Sequence, residues 1–307
     1  MLLLLSIYAF VNGCIKDDYD FIYHRKNILN QQSSRINDAL YRIHQDISAP
    51  LPAAELAQVA AYSEQHFHRT FKVVVGESVH CYIRRVRLEF AANQLMFDVQ
   101  ASIQSVAIRC GFNSVSSFSR AFKVAFGMSP GRWRSGQSQI KTKVTADALT
   151  LKTDFPYKIR ELPTRKVAYV RHRGYDKSIK LAWQKLIAWA STQGIDYSQQ
   201  FGLHHSNPTI VPLQDCRYVA CIGITESVLA RGPVNVLKIP GGLHAIFQLS
   251  GSYGDLLMQL EHILVSWLPA SGLKMLPTPA YVQYHKNHFI AKDACYELEL
   301  CLPISFY

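Results

Sequence analysis

Acidic residues are scarce in this chain. Across 307 residues, 22 Asp and Glu stand against 33 Lys and Arg, a formal charge of +11. Residues 1–32 carry three of each sign, residues 33–140 carry 12 basic against 7 acidic, and residues 141–307 carry 18 against 12. An excess spread in this way suits a nucleic-acid partner, although solvated lysines account for it equally. Only 18% of residues are charged and 49% are hydrophobic, which excludes a disordered polyelectrolyte and leaves ample material for buried cores. The seven cysteines are odd in number, form no C-x-x-C, and sit mostly among apolar neighbours. That excludes a disulfide framework and predicts reduced thiols in a cytoplasmic protein.

Long apolar runs are also missing. Met1 to Val11 (MLLLLSIYAFV) is about half the roughly 20 residues that a bilayer requires, and no Lys or Arg precedes it as in a secretory leader. Residues 1–32 read as an extension of unclear role: a buried or frayed appendage, or a start codon placed too early. No glycine-rich phosphate loop and no G-x-S-x-G elbow occurs. His204-His205, His285 with His288, and His66 with His68 lack partners at metal-ligand spacing. The expectation is therefore no catalytic residue, no metal and no cofactor.

What is present is a helix, a tight turn and a second helix over Ser102 to Arg134. Ile103, Val106, Ala107 and Cys110 share one helical face. Gly111 allows a sharp turn, and Asn113 or Ser114 can cap the next helix. Phe118, Phe122 and Phe126 recur every four residues, with Ser116, Ser119, Arg120 and Lys123 opposite them. This is the sequence form of a helix-turn-helix, and equally that of a plain helical hairpin.

A second copy separates the two readings. Ala57, Ala61 and Tyr62 match Ala107, Gly111 and Phe112 at an offset of fifty, while Phe67, Arg69, Phe71, Lys72 and Gly76 match Phe118, Arg120, Phe122, Lys123 and Gly127 at fifty-one. The turn of the second copy is one residue longer, and a repeat shared across this many positions outweighs any single motif. Between the copies, Ser78 to Leu95 predicts a helix of about 27 Å, long enough to hold two readers about one DNA turn apart, roughly 34 Å. Val79, Tyr82, Ile83, Val86 and Phe90 mark its apolar face, with Arg84, Arg85 and Arg87 elsewhere on the surface. Ser33 to Ile47 predicts a bracing helix striped by Ile36, Ala39, Leu40 and Ile43.

Residues 33–135 resemble the DNA-binding domain of AraC/XylS-type transcription regulators. The shared elements are A-x(3)-A-Y-S from Ala57, A-x(3)-G-F from Ala107, F-x-R-x-F-K at Phe67 and again at Phe118, and G-x-S-P at Gly127. The resemblance implies double-stranded DNA as partner and admits RNA polymerase as another. Base contacts then fall to Gln65, His68 and Arg69 in the first copy and to Asn113, Val115, Ser116 and Arg120 in the second. Lys72, Lys123, Arg84 and Arg132 are placed for phosphate.

After a polar linker, residues 136–152, strands alternate with single long helices. His172-Arg173-Gly174 followed by a helix ending in Trp189 parallels Leu249-Ser250-Gly251 followed by a helix ending in Trp267. Cys216 to Ile224 likewise parallels Cys295 to Ile304. The fold expected overall has two domains: an all-α tandem helix-turn-helix domain, then an α+β domain of two pseudo-symmetric β-α-β-β units at 153–307, with a groove between the two helices.

This second half resembles the GyrI-like effector-binding domain. The strings are Asp215-Cys216-Arg217-Tyr218, Gly241-Gly242, Ser266-Trp267-Leu268-Pro269 and Leu276 to Tyr281. The resemblance implies a small-molecule effector and a ligand groove lined by Tyr169, Trp183, Trp189, Tyr281, Val282 and Tyr284. Two departures matter. Val219 and Val282 stand where family members often carry carboxylates, and the second of these commonly faces cationic aromatic ligands. A buried cation without a counter-charge is costly, so the effector expected is apolar and neutral or anionic. The alternatives are a protein-binding regulator without a ligand, and a hydrolase fused to a DNA reader, which Val282 disfavours.

Overall fold

The computed structural model describes residues 31–98, 100–136, 155–208, 210–228, 234–276 and 278–306. The opening segment and nearly all of the linker stretch lie outside them.

Helix α1 covers 31–45 and buries Ile36, Ala39, Leu40 and Ile43 along one stripe. Helices α2 (Ala53–Val59) and α3 (Glu64–Val75) form the first hairpin; α5 (Ile103–Arg109) and α6 (Val115–Phe126) form the second. A short α7 follows at 130–136. Ser102 and Ser114 cap their helices by accepting the N–H of Ser105 and Ser117. Gly76 and Gly127 end α3 and α6 in the left-handed conformation.

Between the hairpins runs α4 (Val79–Phe97), 19 residues and about 28 Å long. It serves two cores in succession. Val79, Tyr82, Ile83 and Val86 pack with Phe67 and Phe71 of the first hairpin. Leu88, Ala91, Ala92 and Leu95 pack with Val106, Ala107, Phe118 and Phe122 of the second. The helix runs past the expected Leu95 because Met96 and Phe97 are buried in the core of the following domain.

Two arginines expected on the open surface of α4 are pinned instead. Arg85 bonds Glu77 and Glu89. Arg87 donates to the carbonyls of Ile47, Ala49 and Gly111, tying the two hairpins together.

The second domain is one antiparallel sheet carrying its helices on one face. Its strands are β1 (Tyr157–Leu162), β2 (Arg165–Arg173), β3 (Gln200–His204), β4 (Arg217–Gly223), β5 (Asn235–Ile239), β6 (Gly242–Ser252), β7 (Leu273–Met275), β8 (Tyr281–Lys286) and β9 (Cys295–Phe306). Their order is β1-β6-β9-β8-β3-β4-β2-β5, with β7 beside β9. Outward from the central β3–β8 pair, the sheet therefore reads β3-β4-β2 on one side and β8-β9-β6 on the other. Helix α8 (Ile179–Thr192) connects β2 to β3. Helix α9 (Asp255–His262) continues through a π-helical turn, Ile263–Trp267, into a last turn, Leu268–Ala270.

Alternation along each strand divides the side chains between two cores. Trp183 and Leu186 of α8 share one core with Ala220, Val282, Tyr284, Leu300 and Leu302 on the helix-covered face. Tyr169, Phe201, Val219, Cys221, Tyr281 and Cys301 form the other, and Tyr41 of α1 packs against them. Helix α1 thus docks on the face of the sheet that has no helices of its own, while Met96 and Phe97 of α4 join the helix-covered core. Ser34 donates to Asn235 at 2.7 Å, Arg171 to Asn37 at 3.2 Å, Arg217 to Glu77 at 3.2 Å and Ser206 to Glu89 at 3.3 Å.

The six described cysteines are unpaired, and burial pushes the Cys110 and Cys216 thiols up to about 12. Among the described residues, no helix is long and apolar enough to cross a membrane, and no three His, Cys, Asp or Glu side chains gather to hold a metal ion.

Candidate nucleic-acid interface and effector domain

Helices α3 and α6 are strongly one-sided. Phe67, Thr70, Phe71 and Val75 are buried in the first, Phe118 and Phe122 in the second. Rings in edge contact fix each helix: Phe67 on Phe71 at 5.5 Å and Phe71 on Tyr82 at 5.7 Å, then Phe112 on Phe118 at 5.2 Å and Phe118 on Phe122 at 5.5 Å. With those faces committed inward, Gln65, Arg69 and Lys72 of α3 are exposed, as are Val115, Ser116, Arg120 and Lys123 of α6 with Asn113 just before it.

His68 is set back from this row. It is half-buried, with Nε2 3.8 Å from the Glu64 carboxylate and its ring 5.5 Å from His80. Val115 keeps 38% of its surface open, which leaves its methyl groups available to a base edge.

The arginines of the helical domain fall into two groups. Arg42 pairs with Glu55, Arg85 with Glu77 and Glu89, and Arg109 with Asp98, while Arg87 holds backbone carbonyls. Among the described residues, Arg69, Lys72, Arg84 and Lys123 have no side-chain partner at hydrogen-bond or ion-pair distance. Arg120 makes a single 3.4 Å bond from Nε to the Ser116 carbonyl, and Arg132 is exposed. The unspent charge therefore sits on α3, on one side of α4, on α6 and at α7.

One neighbour of this surface was invisible in the sequence. Arg120 lines a cleft of about 920 Å³ together with Val75 and Gly76 at the end of α3 and with Arg173, Asp215 and Arg217 of the second domain. The second domain thus reaches the space between the two hairpins. Its Arg173 is 56% exposed and is held at 2.8 Å by Asp215.

In the second domain, Trp183, Val282 and Tyr284 come together on the helix-covered face. Trp183 and Tyr284 meet edge to face at 5.8 Å, and the Tyr284 and Tyr218 hydroxyls lie 3.2 Å apart. Trp189 is half-buried against the same core. Tyr169 and Tyr281 lie on the opposite face, under the helical domain, so the six groove residues named from sequence do not line one surface. Val282 is fully buried, and its isopropyl group fills the position in question. Val219 belongs to the opposite face.

Sequence reasoning missed Tyr175, Tyr218, His204 and His288 on the helix-covered side. The Tyr175 ring is 5.5 Å from His204 and 6.2 Å from Tyr218, and His288 is 5.9 Å from Tyr284. The Tyr175 hydroxyl, His204 Nε2 and His288 Nδ1 are buried without a hydrogen-bond partner. Burial lowers both imidazoles to about 4, so they are neutral near pH 7. The aromatic character of this face was legible, but its histidines carried no spacing signal.

Comparison with known proteins agrees with this division of labour. Residues 56–136 match the helix-turn-helix domain family, and residues 155–305 match the GyrI-like small molecule binding domain. The probable transcriptional regulator LumQ of Photobacterium leiognathi is 40% identical over 92 residues, 30% of this chain and 37% of that protein. The HTH-type transcriptional activator AarP of Providencia stuartii is 33% identical over 112 residues, 36% of this chain and 82% of that protein. A solved transcriptional regulator with an AraC-type DNA-binding domain, from Chromobacterium violaceum, is 26% identical over 34% of this chain and 93% of its own, at a TM-score of 0.32. The chain spans about a third of the length of the first curated relatives it matches. A doubled hairpin with its basic side chains unspent, joined to the sheet domain matched at 155–305, places this chain among the AraC-type helix-turn-helix transcription regulators that carry a GyrI-like domain.

Proposed function

We propose that the chain reads double-stranded DNA with α3 and α6 in two successive major grooves and regulates transcription in response to an apolar effector without positive charge. The observation that carries the first part is the sorting of the arginines. Those of the interior are neutralised by carboxylates or carbonyls, whereas Arg69, Arg120, Lys72 and Lys123 stand exposed at matching places in the two repeats. Such charges gain affinity for a duplex by neutralising its phosphates and releasing counterions, and their contacts fix register.

Genomic fragments selected by the full chain, then footprinted, test this reading. The expected result is two protected half-sites about one helical turn apart, with binding that weakens steeply as salt rises. A single short footprint, or binding indifferent to salt, would contradict it.

The second part rests on Val282. A cation brought to the helix-covered face would meet an isopropyl group where a carboxylate is required. Tetraphenylphosphonium is therefore expected not to bind the wild-type chain in calorimetry, whereas V282E, if it folds by circular dichroism, is expected to gain measurable affinity. Tight binding of that cation to the wild type would overturn the charge assignment. The same valine disfavours the hydrolase alternative, which calls for a glutamate at that position.

A further inference from the structure

Two reading helices in successive major grooves straddle the minor groove between them. The phosphate rows bordering that groove then face whatever lies between α3 and α6. Here that space is a cleft floored by α4, with Arg84, and closed on one side by the second domain, which contributes Arg173, Asp215 and Arg217.

The charges of the cleft do not balance. Five guanidiniums line it, those of Arg84, Arg85, Arg120, Arg173 and Arg217, against three carboxylates, Glu77, Glu89 and Asp215. Arg85 takes up Glu77 and Glu89, and Arg217 shares Glu77 at 3.2 Å. What those pairs leave is Arg84 on α4, Arg120 on α6, and Arg173 with Asp215.

The setting of Arg173 readies it for a further anion. It ends β2, directly opposite Arg217 in the β2–β4 ladder, and like charges so placed repel. Its Nη1 lies 3.7 Å from where a Cβ of Gly76 would stand, at the C-terminal end of α3, where the helix dipole favours a cation. The Arg217–Glu77 bond ties this strand pair to the residue that follows Gly76, so Arg173 keeps a fixed relation to the first reading helix. Its pair with Asp215, 2.8 Å long, is 56% and 44% exposed. Exposed pairs contribute little, so a phosphate joins or replaces the carboxylate at small cost.

We propose that Arg173 of the second domain is a DNA ligand, which with Arg84 bonds the phosphodiester backbone beside the minor groove between the two reading helices. A planar guanidinium meets phosphate oxygens through two N–H groups at once. The contact carries no sequence information. It adds affinity and makes the second domain part of the grip on the duplex. The inference rests on the reading of DNA by α3 and α6, and adds to it a residue from outside the helical domain.

The test is fluorescence anisotropy of the full chain over a series of salt concentrations, on a footprinted fragment and on a scrambled fragment of equal length. R173A is expected to weaken binding to both by the same factor, roughly three- to ten-fold, and to lessen the slope of log affinity against log salt by about 0.9, one phosphate's share. D215N, which frees the guanidinium, is expected to tighten binding to both, roughly two-fold or more. Urea midpoints verify that each variant folds. R69A and R120A are measured alongside. If they too keep full affinity, the DNA-reading face itself is wrong and this proposal falls with it. If they weaken binding while R173A keeps the wild-type affinity and salt slope, the proposal alone is overturned. Unchanged or weaker binding by folded D215N overturns it as well, and so does a loss in R173A confined to the footprinted fragment, which would mark a base contact.

Discussion

At the scale of single residues, the two hairpins differ most at equivalent turn positions. Gly111 and Ala61 both take positive φ, 73° and 51°. Only Gly111 lacks room for a side chain: a Cβ there would lie 2.7 Å from the Arg87 guanidinium carbon and 2.9 Å from the Ser48 carbonyl oxygen. Gly111→Ala should therefore lose about 2–3 kcal/mol through strain and overpacking. Ala61→Gly should gain between about zero and 1 kcal/mol, because relief of the left-handed strain outweighs the added unfolded-state entropy. Urea unfolding measures both, and equal effects at the two turns would contradict the assignment. Gly111 was legible as a turn residue, since glycine after a helical run has few other uses. The partners of Arg85 and Arg87 were not legible, because charge alone does not reveal whether a guanidinium faces solvent, a carboxylate or a row of carbonyls.

Elements were easier to foresee than their surroundings. The four-residue spacing of Phe118, Phe122 and Phe126 specifies one helix face, and Ser114 was one of two candidate caps. It accepts the Ser117 N–H at 3.2 Å, so Ser114→Ala should cost about 1 kcal/mol, read as a lower urea midpoint. An unchanged midpoint would mean that the cap contributes nothing. In strand β8, parity decides which aromatics meet. Tyr281 and Tyr284 are three residues apart, so a single strand sends them to opposite faces, and Tyr284 shares its face with Val282. That much lay within reach of the sequence. The inclusion of Tyr169 in one groove required the strand order, which non-local pairing sets and no local pattern shows. The extra turn of α4 has the same origin: Met96 and Phe97 extend it because a different domain buries them.

At the scale of the whole molecule, the domains are not beads on a string. Cross-domain hydrogen bonds, Asn207 to Asn93 at 2.7 Å among them, and the α4 insertion join them, and the junction holds neutral histidines. The His44 and His205 ring centres lie 4.3 Å apart with the planes tilted by 53°. Burial, then neighbouring His205 and the Arg171, Arg85 and Arg217 guanidiniums, hold His44 well below its usual range; Tyr82 is its hydrogen-bond partner. Burial, with Arg171, His204 and Arg217 around it, lowers His205 to about 3, and burial lowers His204 to about 4. Depressed folded-state values mean that the unfolded chain takes up protons first. The associated stability is complete above about pH 6.5 and is lost as pH falls toward 4, by up to about 1.4 kcal/mol per pH unit for each histidine. Glu89, which burial pushes up, offsets part of this loss. The urea midpoint should fall between pH 7.5 and pH 5.5, and H204F/H205F should flatten that dependence; a wild-type midpoint independent of pH would contradict it. None of this junction was readable beforehand, because the matched groups lie more than a hundred residues apart in the chain.

The central claim is that both repeats grip one duplex. Fluorescence anisotropy on a footprinted fragment at fixed salt, with R69A, R120A and the double variant, tests it most directly. Each single variant should lose about 1–3 kcal/mol of binding, roughly five- to 150-fold, and the losses should add in the double variant. Full affinity in either single variant, with the other alone abolishing binding, would contradict it.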